Sequence, residues 1–152
     1  MPKQTTNSAE SEEEKAERIK DLTIRNFEGY LRRQNLAAST IKKHGQNAYD
    51  YLDFLYFAEG LETLEELSAE YISDFIEHDC IRGLTPSQSA LQTMTASLKK
   101  FYVFLEEKGR VSRGTAQGVS DLIKSGLPYW QARLYRYYHD DDDDEDSIWG
   151  LF

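Results

Sequence analysis

The sequence predicts an all-α protein: a small orthogonal bundle of four main helices, arranged as two helical hairpins, with two short C-terminal helices added. Three observations predict it. Apolar residues recur at three- and four-residue spacing through most of the chain. Hydroxyl-rich openings and glycine stops punctuate those stretches, and no segment alternates polar and apolar residues over a useful strand length. At 152 residues the chain can bury one apolar core without staples, and its single cysteine, Cys80, cannot form an internal disulfide. No apolar run is long enough to span a bilayer or to serve as a signal peptide, so a soluble, cytoplasmic protein is expected.

Residues 1–14 are polar and acidic and are expected to form a disordered arm. A helical domain is expected over 15–113, a helical extension over 114–139, and an acidic tail with an apolar terminus over 140–152. In the first helix Leu22, Phe27, Tyr30 and Leu31 supply the apolar stripe, which should stop near Gln34 or Asn35. The connection "NLAAST" delivers Ser39 or Thr40 as N-cap of the second helix. There Ile41, Ala48, Leu52 and Leu55 keep helical spacing until Gly60. Ser68 should cap a short third helix that buries Tyr71, Ile72, Phe75 and Ile76 and closes at Gly83. In the fourth, Thr85 is the expected cap and Pro86 the first helical residue. Leu91, Met94, Leu98, Phe101 and Leu105 form its stripe, and Gly109 is its stop. Thereafter one short helix is expected over Thr115 to Lys124 and another from Pro128. The second and fourth helices read as one theme used twice, their closing glycines 49 residues apart.

The net charge of −9 is unevenly placed: residues 1–14 carry −3 and residues 140–146 carry −7, which leaves +1 for residues 15–139. The acidity belongs to the two ends, so the overall charge does not exclude a polyanionic partner for the folded part.

Phe27, Tyr30 and Leu31, then "AASTIKKHGQNAYDYLDFLYFAEG", "LEELSAEYISDFIE" and "SQSALQTMTASLKKFYVFLEEKG", resemble in order and spacing the N-terminal core-binding (SAM-like) domain of tyrosine recombinases and phage integrases. The resemblance covers roughly residues 20 to 110, and its most specific piece is "ASLKKFYVFLEEKG". It implies a small helical bundle that forms half of a clamp around duplex DNA, with the second and fourth helices approaching by their N-terminal halves. Carried over, it assigns Ser39, Thr40, Lys42 and Lys43 to phosphate contact, and Ser87, Ser89 and Lys99 to the second contact helix, where Thr93 is a further candidate contact outside the family's pattern. Helix N-termini and adjacent lysines suit that role, which positions a protein on DNA without reading sequence. Where the family places a basic pair this chain has Thr93 and Met94. A threonine can still meet a base edge or a thymine methyl, whereas methionine makes no charged contact.

The catalytic half of the family has no counterpart in the residues after Gly109, and none of His44, His78 and His139 starts an H-x-x-R pattern. No catalytic residue, metal site or cofactor is therefore expected, and the chain reads as a non-enzyme. Plainer readings stand beside the sharp ones. Lys42 and Lys43 also fit a solvated basic turn, and Phe101, Tyr102 and Phe104 fit a core better than a base-stacking platform. Cys80 is expected to be a half-buried filler. The acidic tail is a solvated run or an internal mimic of phosphate; its apolar end folds back or anchors a recombinase or other protein. The expected function is a stand-alone module gripping duplex DNA mainly through phosphates, accessory to site-specific recombination or integration. The alternative is a protein-interaction adaptor that keeps the bundle but no longer binds DNA.

Overall fold

The computed structural model describes residues 10–58 and 70–150, with side chains over 10–57 and 71–139. The start of the acidic arm, the stops and caps expected at Gly60 and Ser68, and the terminal Leu151 and Phe152 lie outside the described residues. Among the described residues there are only helices and their connections, and no helix is long and apolar enough to cross a membrane. The chain divides into two compact units, Met1–Leu64 and Glu65–Phe152.

In the first unit α1 (Glu12–Arg32) packs on α2 (Ala38–Ala58). Ser11 caps α1: its Oγ accepts from the Glu14 amide at 3.1 Å and donates to the Glu14 carboxylate at 3.0 Å. Glu12, Glu13 and Glu14 fill the first turn, where the helix dipole favours acids, so they belong to α1 and not to the arm expected over 1–14. The buried face is Ala16, Lys20, Thr23, Phe27, Tyr30 and Leu31. Leu22, expected on that stripe, is 53% exposed. Five helical steps turn it about 140° away from Phe27, and Thr23 and Lys20 take the inward positions. Asn35, at φ 59, turns the chain into α2.

Lys20 is the charged residue in that core. Its side chain is 3% exposed, with Nζ 2.8 Å from both Asp53 Oδ1 and Glu17 Oε1. The ammonium lies 5.1 Å from the Tyr49 ring centre and 5.4 Å from that of Tyr56, and the Tyr49 hydroxyl donates to Glu17 at 2.8 Å. Burial works against the charge, yet hydrogen bonds to Asp53 and Glu17 outweigh it and hold the Lys20 pKa above its ordinary value. The hydrogen bond from Lys20, then that from Tyr49, holds the Glu17 carboxyl below its ordinary value.

In the second unit α3 (Glu70–Phe75) runs directly into a π-helical stretch, Ile76–Leu84. Its wider turn brings Ile76, Cys80 and Ile81 to the buried face. Cys80, expected to be half-buried, is fully enclosed. The helix passes the expected stop at Gly83 and ends at Thr85, whose amide and hydroxyl both donate to the Cys80 carbonyl, at 2.9 and 3.0 Å. Thr85 is thus committed to the preceding element and does not cap the next. Ser87 does so for α4 (Gln88–Glu107), accepting from the Ala90 amide at 3.1 Å, and Pro86 lies just outside the helix.

The expected stripe of α4, from Leu91 to Leu105, is buried throughout, as are Phe101, Tyr102 and Phe104, which belong to the core. At its end Gly109, φ 71, adopts a left-handed conformation that glycine accepts without strain. Its amide donates to the Glu106 carbonyl and that of Arg110 to Leu105, at 3.0 and 2.8 Å. The Glu106 carboxylate then accepts from the amides of Gly114 and Ala116, fastening the start of α5 (Thr115–Gly150).

The sequence suggests two short helices where α5 is one, with Pro128 inside it. Val119, Ile123, Trp130 and Leu134 explain the continuity, because they form one buried stripe across the proline. An internal proline costs about 3 kcal/mol, whereas each such side chain contributes about 1.5–3 kcal/mol on burial. Gly126 makes room for Trp130, since a Cβ there would stand 2.7 Å from the indole.

Lys20→Ala is expected to lower the unfolding free energy by about 2 kcal/mol, and Lys20→Met, which keeps the stem, by about half as much. Urea titration followed by circular dichroism measures both; equal stability of all three proteins would refute a role for the ammonium. The contribution of Glu17 is present above its ordinary value of 4.5 and lost as pH falls through its depressed value. That of Lys20 is fully present below 10.5 and lost only as pH rises through its elevated value. Gly126→Ala should destabilise by about 1–2 kcal/mol, because the methyl displaces a buried indole and outweighs a gain of about 1 kcal/mol in helix propensity; an unchanged melting temperature would contradict this.

Candidate nucleic-acid interface

The Ile41 amide donates to the Ala37 carbonyl at 3.0 Å, so α2 starts two or three residues earlier than a cap at Ser39 or Thr40 requires. Both hydroxyls therefore lie inside its first turn. Ser39, Lys42 and Lys43 are exposed and Thr40 is half-buried. At about 100° per residue, Ser39, Lys42, Lys43 and Gln46 share one outward stripe. The first turn holds no acid, in contrast to the three glutamates that open α1. First-turn amides of a helix have no acceptor within it, so this end combines N–H donors, the positive dipole end and two ammonium groups. The acids of α2 lie further along, where Asp50 accepts from the Gln46 amide at 3.1 Å and Asp53 from Lys20.

On α4 the Ser87 oxygen is engaged as cap, and its hydroxyl proton is left to donate outward. Ser89 and Lys99 are exposed, about 15 Å apart along the axis. Thr93 is half-buried and its hydroxyl donates to the Ser89 carbonyl at 3.1 Å, which leaves its methyl and lone pairs for a partner. Met94 is 1% exposed and belongs to the core. The first turn of α4 is also free of acids.

The theme used twice in the sequence proves to be a repeat at an offset of 50. Ile41, Ala48, Tyr51 and Leu55 correspond to Leu91, Leu98, Phe101 and Leu105, all buried. On the outer stripe Ser39, Lys42 and Lys43 correspond to Ser89, Gln92 and Thr93. Counting from the glycines, 49 apart, obscures this register by one residue. Two further candidates are exposed beside the predicted residues: Gln92, the counterpart of Lys42, and Gln46, one turn beyond Lys42 and Lys43. A long amide side chain there can bond a phosphate or an adenine edge.

The structure thus gathers Ser39, Lys42 and Lys43 on one stripe of α2, and Ser89, Thr93 and Lys99 on one stripe of α4, while Thr40 sits to the side and Ser87 at the cap. Neither stripe holds a general base beside a nucleophile; each is suited to contact with an anion. No curated protein and no solved structure matches the chain. The family model for the phage integrase N-terminal SAM-like domain matches residues 24–109, more than half of the 152 residues and inclusive of both stripes. The chain belongs to the phage integrase N-terminal SAM-like family.

Proposed function

We propose that this protein is a duplex-DNA-binding module that acts in site-specific recombination or integration inside the cell, gripping DNA mainly through phosphates. The observation that carries the reading is the coincidence of the family match with two exposed, acid-free helix openings on equivalent faces of α2 and α4. Lys42 and Lys43 neutralise phosphates, the first-turn amides of α2 and the Ser39 hydroxyl bond their oxygens, and Thr40 supports that turn from its flank. On α4, Ser87, Ser89 and Lys99 hold the backbone, while Thr93 with Gln92 supplies the groove contact left by the missing basic pair. Contacts of this kind give modest sequence preference, because phosphate contacts position and only base-edge contacts specify.

In a salt-titrated gel-shift assay on a linear duplex, the double variant Lys42→Glu/Lys43→Glu should bind at least about tenfold more weakly at low salt, with a logarithmic salt slope shallower by about 2. Lys99→Glu should reduce the slope by about 1. Wild-type protein that fails to shift duplex DNA at any salt concentration would overturn the reading in favour of an adaptor that keeps only the fold.

A further inference from the structure

A groove of about 690 Å³ lies in the second unit between the π-helical stretch and α5, and the proposed DNA contacts do not include it. Among the described residues Arg82, Arg133 and Arg136 line it against a single acid, Glu77, with Tyr137 and Tyr138 beside them. The two rings are 48% and 45% exposed. Arg133 stands 3.8 Å from Glu77, and its firmer bond is to the Tyr129 hydroxyl at 3.1 Å. Among the described residues neither Arg82 nor Arg136 has an acidic partner. The groove is therefore a concentrated positive site with tyrosine walls, a composition that also marks binding hot spots.

The next segment of the same helix limits the choice of occupant. Beyond Arg136, α5 continues into six aspartates and one glutamate, residues 140–146. The first acid is one turn away, about 6 Å along the axis, inside the screening length of about 8 Å at physiological salt. A nucleic-acid strand on these arginines would run beside seven like charges. Past position 140 the continuing helix takes each further acid of the same chain about another 1.5 Å along the axis from Arg136, so most of the run is out of reach of its own groove. A second copy of α5, antiparallel to the first, meets both conditions. At about 100° per residue, positions 140, 143 and 144 fall on the face that carries Arg133 and Arg136. An antiparallel pair then sets position 136 against 140 and 133 against 143, twice over, by two-fold symmetry.

We infer that the groove receives the acidic run of a second copy of this chain, forming an isologous, salt-sensitive dimer through α5. The inference is independent of the DNA reading. The test is sedimentation velocity on the full chain at low and high ionic strength. The wild type should be dimeric at low salt and dissociate as salt rises. Arg133→Glu/Arg136→Glu and, separately, Asp140→Lys/Asp143→Lys/Asp144→Lys should each weaken dimerisation at least about tenfold, with helical content unchanged by circular dichroism. Mixed together, these two variants should form a heterodimer, since each supplies the charge the other has reversed; Arg82→Glu gives an additional variant on the opposite wall. A monomer at every salt and protein concentration overturns the inference, as does a dimer indifferent to both reversals. A monomer whose affinity for a duplex oligonucleotide falls with Arg133→Glu/Arg136→Glu also overturns it and assigns the groove to nucleic acid.

Discussion

Rotation of α2 about its own axis is fixed by Ile41, Ala48, Tyr51, Leu52 and Leu55, and that of α4 by Leu91, Leu98, Phe101, Tyr102 and Leu105, all of them buried. Each of the large side chains among them is worth about 1.5–3 kcal/mol of burial. Turning either helix by one residue would therefore forfeit far more than any surface contact returns. Once the inward face is fixed, the outward stripe has no freedom left. Ser39, Lys42 and Lys43 face water because Ile41, His44 and Ala48 do not, and the same holds for Ser89 and Lys99 around Leu91, Met94 and Leu98. Each buried face thus holds the polar groups of its own helix on a defined outward stripe.

Charge follows a second rule. Several acids of the helical body are absorbed locally: Glu12 to Glu14 open α1, Glu17 and Asp53 hold Lys20, and Glu106 caps α5. The first turns of α2 and α4 contain no acid of their own. Net charge summed over the chain conceals this, because position on a helix decides whether a carboxylate competes with a phosphate.

The all-helical class, the stripe of α4 and the core placement of Phe101, Tyr102 and Phe104 are legible in the sequence because each rests on a period of 3.6 residues that no tertiary contact can override cheaply. Departures arise where one local signal serves two elements. Thr85 and Ser87 both precede a helix, and only the bond from Thr85 to Cys80 shows which one is free to cap. Pro128 is a sound break signal in isolation, yet Val119, Ile123, Trp130 and Leu134 continue one buried face through it. Lys20 escapes pattern reading because lysine signals a surface, and its four partners stand on another turn or another helix. At the candidate interface the individual residues are visible in the sequence, but not the 50-residue register that makes Gln92 the counterpart of Lys42, nor the exposure that adds Gln46 to the stripe of Lys42 and Lys43.

The π-helical stretch of Ile76–Leu84 holds more residues per turn than the α-helices around it. A residue removed from an α-helix rotates everything before it by about 100° and unseats its buried face. Removed from a wide turn, it tightens that turn to the ordinary form and leaves the flanking register intact. This segment is therefore where the helical body tolerates a change of chain length, and shorter kin are expected to have lost their residue between Phe75 and Thr85.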